Sequence, residues 1–103
     1  MSAEPNADVI RHVLIRGRAQ GVGYRAFAER TALRLGVAGW VRNRRDGAVE
    51  ALFAGPADVV AAMIEACRRG SFNARVDAID ERAGTADELS LRGADEFAVL
   101  KTV

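Results

Sequence analysis

Residues Ala38–Ala54 read AGWVRNRRDGAVEALFA, two apolar runs hinged on Arg45-Asp46-Gly47. An Asp-Gly pair marks a hairpin, because glycine accepts the positive φ that a tight reversal requires. Ala38–Arg44 and Gly47–Ala54 are therefore expected to be antiparallel neighbours, strands two and three of the chain. Trp40 and Arg42 share one face of strand two, and Val41 and Asn43 the other. On strand three Val49, Ala51 and Phe53 alternate with Ala48, Glu50 and Leu52. Trp40 stands apart from other aromatic residues and reads as packing rather than as a stacking platform.

Upstream, Tyr24, Phe27, Ala28, Thr31 and Leu35 recur at helical spacing, and Gly36 supplies a stop, so a helix is predicted over Tyr24–Leu35. Before it, Val9–Arg16 (VIRHVLIR) reads as strand one, with Val13 and Ile15 on one face and His12 and Leu14 on the other. Downstream, Gly55-Pro56 ends strand three. Val60, Met63, Ile64 and Cys67 then trace a second amphipathic helix as far as Gly70, with Pro56 suited to its first turn. Ala74–Glu81 is a weaker fourth strand and Glu96–Lys101 a short fifth, while residues 82–95 show charges and turn formers without periodicity and are expected to be surface loop. The order β-α-β-β-α-β plus one terminal strand gives an α+β chain with the ferredoxin-like α/β sandwich plan, an antiparallel sheet with two helices on one face. Residues 1–8 read as a loose tail and 9–103 as one domain.

Fifteen basic against fourteen acidic residues leave a net charge of +1, so no global field argues for nucleic acid or an anionic membrane, and any anion site must be local. The lone cysteine, Cys67, lies on an apolar stripe and reads as core rather than nucleophile. No Cys/His cluster suggests a metal. Met1–Asp8 carries no basic leader, and no apolar stretch is long enough to span a membrane, so a cytoplasmic location is expected. His12, the only histidine, has no partner at a suggestive spacing and reads as structural.

Gly17–Arg25 (GRAQGVGYR) occupies the corner between strand one and helix one. Glycines there let the main chain approach a ligand, and the first turn of a helix presents unpaired N–H groups at the positive end of its dipole, a natural seat for an anion. Two nucleotide-loop templates nearly fit. Gly21–Ala26 matches GxGxxG/A, but a dinucleotide fold needs a parallel second strand where this chain enters a hairpin. A Walker loop needs a lysine and a hydroxyl that are missing. What survives is a cradle of backbone donors, to which Arg25 adds a forked charge. Asn43, where strand two enters the hairpin, carries an uncharged amide able both to donate to and to accept from a water. By itself an asparagine there reads as a turn former.

Gly17–Arg25 resembles the first signature of the acylphosphatase family, and Gly39–Glu50 (GWVRNRRDGAVE) resembles the second. Ala19 stands where valine is usual, and Tyr24 where phenylalanine is common. After Gly70 the similarity thins, Ser71-Phe72-Asn73 replacing a proline-containing turn. The resemblance implies hydrolysis of the carboxyl-phosphate bond of small acyl phosphates without metal or other cofactor, with inorganic phosphate as product and competitive inhibitor. It places the phosphate-binding arginine on Arg25, the backbone cradle on Gln20, Gly21, Val22, Gly23, Tyr24 and Arg25, and the water-orienting asparagine on Asn43. No nucleic-acid or membrane partner is implied, and a monomer is expected. A binding module of the same topology is the alternative. Single-strand RNA readers need aromatic residues on central strands, of which strand one has none and strand three only Phe53. A domain that merely senses an anion remains open on sequence alone.

Overall fold

The computed structural model describes residues 7–103, so the expected N-terminal tail lies, over residues 1–6, outside the described residues. The chain runs β1 (Asp8–Arg18), α1 (Tyr24–Leu35), β2 (Ala38–Asn43), β3 (Val49–Pro56), α2 (Ala57–Arg69), β4 (Arg75–Ala83), α3 (Ala86–Leu89), a 3-10 turn (Ser90–Arg92) and β5 (Phe97–Val99). The strands form one sheet in the order β4-β1-β3-β2-β5. The expected hairpin is present: Val41 pairs with Ala51 and Asn43 with Val49, and Arg44 N–H donates to the Ala48 carbonyl at 2.9 Å across a turn that has Gly47 at φ 96°.

Alternation then decides which residues meet. Val13, Ile15, Val41, Val49, Ala51 and Phe53 point to the face covered by α1 and α2, whose Tyr24, Ala28, Val60, Met63 and Cys67 complete the main core. The helices form where apolar residues recur with helical period, and α1 stops at Gly36, after which Val37 N–H bonds back to the Ala32 carbonyl at 2.8 Å. Pro56 takes the N-cap position of α2 rather than its first turn, with φ −56° and ψ 140°.

On the opposite face Trp40 packs with Leu52 and Ala98, with Ile10, Leu89 and Leu100 around them. His12 is buried beside Glu50, their Nε2 and Oε2 atoms 2.7 Å apart, and Arg42 Nε donates to the other carboxylate oxygen at 2.7 Å. Burial alone would raise Glu50, but the donors on Arg42 and His12 outweigh it and hold the carboxyl below its usual range. The structural reading of His12 therefore holds, and its carboxylate partner comes from across the sheet, 38 residues away.

Three expectations are corrected. The sheet is antiparallel except at β5, which runs parallel to β2 because the chain crosses over from the far edge after β4. β5 itself is shorter than predicted, although Leu100 N–H still donates to the Val41 carbonyl at 2.9 Å. Residues 82–95 are not simply loop: β4 runs on to Ala83, and α3 follows, closed by a capping box. Glu88 N–H donates to Thr85 Oγ1 at 3.1 Å, and Thr85 N–H to Glu88 Oε1 at 3.0 Å. The helix covers Trp40, whose Nε1–H donates to the Glu88 carbonyl at 2.7 Å.

The Arg82 guanidinium grips Glu88 with Nη2 at 2.6 Å and Nη1 at 3.0 Å. Together with the Thr85 N–H it holds this carboxyl down to about 2, from an ordinary 4.5. A folded-state value below the unfolded one gives stabilisation that is complete above the ordinary value and is lost as pH falls towards the folded one. Glu88→Gln is therefore expected to melt a few degrees below the parent at pH 7. The gap should narrow as thermal melts are recorded from about pH 4.5 to about pH 2.

Candidate active site

The corner between β1 and α1 is made by Ala19–Gly23. Gly21 and Gly23 hold φ 75° and 78°, in the left-handed region, with open space where a side chain would be. Gly23 is the N-cap of α1 and offers no side-chain acceptor, and the first turn contains no acidic residue. Phe27 N–H bonds to the Gly23 carbonyl at 3.0 Å, so the N–H groups of Tyr24, Arg25 and Ala26 precede the point where helical bonding begins. A cation here opposes the helix dipole by about 0.3–1 kcal/mol. Arg25 nonetheless occupies the first turn, and it has no carboxylate partner among the described residues.

Asn43 closes β2 on the helix-covered side of the sheet. Its Oδ1 is buried without a hydrogen-bond partner among the described residues. Its backbone is fixed from the other direction: Val103 N–H donates to the Asn43 carbonyl at 3.1 Å, and Arg45 N–H to the Val103 carbonyl at 2.7 Å. An orphaned buried acceptor costs about 1–3 kcal/mol, a penalty that a turn former with its side chain in solvent would not incur.

These elements enclose a cleft of about 320 Å³. Of the residues singled out in the sequence, Gly21, Gly23, Tyr24, Arg25 and Asn43 line it. Val22 instead packs on the main core, and the Gln20 side chain turns to the hairpin, donating to the Arg44 and Ala48 carbonyls at 2.7 and 2.8 Å. The Tyr24 side chain is buried and anchors α1 to α2, its hydroxyl donating to the Cys67 carbonyl at 2.7 Å. Burial pushes the Tyr24 hydroxyl far above its ordinary range and the Cys67 thiol up to about 11, so neither is poised as a nucleophile.

Ala19, Ala26, Glu29 and Val99 also line the cleft and were not picked out from the sequence. Glu29 lies one turn beyond Arg25, a placement that helical spacing could have revealed. Val99 arrives only through the parallel pairing of β5 with β2. His12 lies on the opposite face. Among the described residues no group of three or more His, Cys, Asp and Glu side chains is arranged to hold a metal ion, and no helix is long and apolar enough to cross a membrane.

Backbone donors at a helix start and an arginine with no carboxylate partner among the described residues suit a ligand that carries negative charge and accepts many hydrogen bonds, while the Asn43 Oδ1 acceptor in the same cleft suits a donor such as a water beside it. Known proteins narrow this class. The family model for acylphosphatase matches residues 11–98. The acylphosphatase of Nitrobacter hamburgensis is 58% identical over 97 residues, covering 93% of this chain and 98% of that protein. The acylphosphatase of Rhodopseudomonas palustris is 56% identical over 96 residues, covering 92% and 97%. Among solved structures, the acylphosphatase from Bacillus subtilis superposes with a TM-score of 0.78 at 34% identity, over 89% of this chain and 98% of that one. The chain belongs to the acylphosphatase family.

Proposed function

We propose that this chain hydrolyses the carboxyl-phosphate bond of acyl phosphates, giving a carboxylate and inorganic phosphate by attack of one water. The observation that carries the reading is that Asn43, whose Oδ1 is buried without a hydrogen-bond partner among the described residues, lines the same cleft as Gly21, Gly23 and Arg25. In this reading the phosphoryl oxygens lie against the N–H groups of residues 20–25, and the Arg25 guanidinium opposes the charge on them. Asn43 Oδ1 accepts a hydrogen bond from the attacking water and holds it in line. The bond from phosphorus to the acyl oxygen breaks as the water oxygen bonds to phosphorus, and the water's proton passes to a phosphoryl oxygen of the substrate. A carboxylate is a good leaving group, so positioning and electrostatics supply most of the acceleration. Inorganic phosphate, as product, competes for the same cradle. We further propose that the chain works as a monomer in the cytoplasm and requires no metal.

Arg25→Ala is expected to weaken both turnover of benzoyl phosphate and inhibition by phosphate. Asn43→Ala should lower kcat by about 10²-fold with little change in phosphate inhibition, by analogy with loss of one preorganised donor. Wild-type activity in both variants would remove the assignment. Among the described residues Glu29 is the one carboxylate lining the cleft. If the substrate takes the proton, Glu29→Gln costs less than about tenfold in kcat, whereas a general base would cost about 10² to 10⁴. Benzoyl phosphate turnover should survive EDTA undiminished, and restoration by a divalent ion after loss in EDTA would refute metal independence. A domain that only senses an anion would bind phosphate and leave benzoyl phosphate intact.

A further inference from the structure

We infer that the Gln20 side chain is a positioning residue that locks the phosphate loop in register with Asn43. The inference rests on the hydrolytic reading above and assigns this side chain a task separate from the backbone cradle.

Gln20 Nε2 donates one hydrogen to the Arg44 carbonyl at 2.7 Å and the other to the Ala48 carbonyl at 2.8 Å. Both partners accept only, so the amide must present its nitrogen to them. Arg44 and Ala48 are the two ends of the hairpin turn, and Arg44 directly follows Asn43. Gln20 directly precedes Gly21, the first glycine of the cleft. One side chain therefore joins a neighbour of each half of the site.

The hairpin does not need these bonds to close. The Arg44 carbonyl already accepts from Gly47 N–H at 3.1 Å, and the Ala48 carbonyl from Arg44 N–H at 2.9 Å. Gln20 fills the second lone pair of each oxygen. Its removal orphans neither carbonyl, so the penalty for an unsatisfied buried acceptor is avoided. What is lost is the tie between loop and hairpin, two segments 24 and 28 residues apart in the chain. An in-line attack depends on that distance, since the loop holds the phosphoryl group and the hairpin strand holds the water.

Gln20→Met keeps the length of the side chain and removes both donors. Measured with benzoyl phosphate, it is expected to lower kcat by about ten- to a hundredfold, the scale of a misplacement near 1 Å. Inhibition by inorganic phosphate should change by less than about threefold, because the loop's own N–H groups remain. The double-mutant cycle with Asn43→Ala is decisive. In that background Gln20→Met should cost less than about threefold, since no oriented water remains to be misplaced. Equal losses in both backgrounds would overturn the inference, as would an unchanged kcat, or a weakened phosphate inhibition with kcat intact. Gln20→Lys returns donors to the same carbonyls and should recover part of the kcat lost in Gln20→Met. If Gln20→Met does not fold, Gln20→Ala, which likewise removes both donors, set against Asn43→Ala gives the cycle, and additivity again overturns it. A wild-type kcat in Asn43→Ala alone removes the hydrolytic site and this inference with it, whereas an additive cycle removes only the role of Gln20.

Discussion

The site depends on strand register. Asn43 pairs with Val49, and Val49 pairs on its other side with Ile15. Asn43 and the outgoing end of β1 therefore stand level, two strand spacings or roughly 10 Å apart, on the face that carries α1. Three residues past Ile15 β1 ends, and the loop swings over to start the helix above that same end of the sheet. A slip of one residue in the β2–β3 hairpin would turn Asn43 to the opposite face, away from the cleft, and bring Trp40 and Arg42 round to the helix-covered side. The Asp-Gly turn is what forbids the slip: Asp46 accepts from Ala48 N–H at 3.1 Å, and Gly47 takes the positive φ. A local choice of turn residues thus sets the position of a side chain that takes no part in the turn.

The three helices differ in how they begin. α2 starts behind Pro56 with Asp58 in its first turn and ends with Arg68 and Arg69, as the helix dipole favours. α3 has a complete capping box. α1 has glycine at its N-cap, no acid in its first turn and an arginine where the dipole disfavours one. α1 thus lacks both a capping side chain and an acidic first turn, where α2 lacks only the cap and α3 lacks neither, and it does so beside a buried acceptor without a partner among the described residues, so local folding preferences are least satisfied at this corner. The energies involved are small, about a kcal/mol for each omission, and a core that buries Trp40, Tyr24, Phe53, Ile15 and Leu52 completely offsets them.

Much of this was legible in the sequence because it is local. The hairpin announced itself through Asp46-Gly47, α1 and α2 through their apolar period, and the corner that leads into α1 through Gly21 and Gly23, with Arg25 beside them. The parts that were not legible are those that only the sheet brings together. His12 and Glu50 become neighbours through the pairing of β1 with β3, and nothing within either strand signals it. Val99 reaches the cleft through a parallel contact at the end of the chain. α3 is too short for a period to show, although Thr85-Ala86-Asp87-Glu88 carries the pattern of a capping box. Gln20 was legible as a member of the loop, but the target of its side chain was not, because the two carbonyls it meets belong to a turn more than twenty residues away.

The far face of the sheet also bears on the site. Trp40 and Arg42 alternate with Val41 and Asn43 along β2, so whatever fixes the first pair fixes the second. Trp40 is held by the α3 carbonyl at Glu88, and the Arg42 guanidinium carbon stands 4.6 Å from the centre of its ring while Nε grips the buried Glu50. Glu50 is shared with His12 of β1, so one carboxylate on β3 ties both flanking strands. Breaking such a buried pair costs about 3–5 kcal/mol. β2 would otherwise be bordered only by the three-residue β5 on its outer side. The polar cluster under Trp40 therefore stiffens, from behind, the strand that presents Asn43 to the cleft.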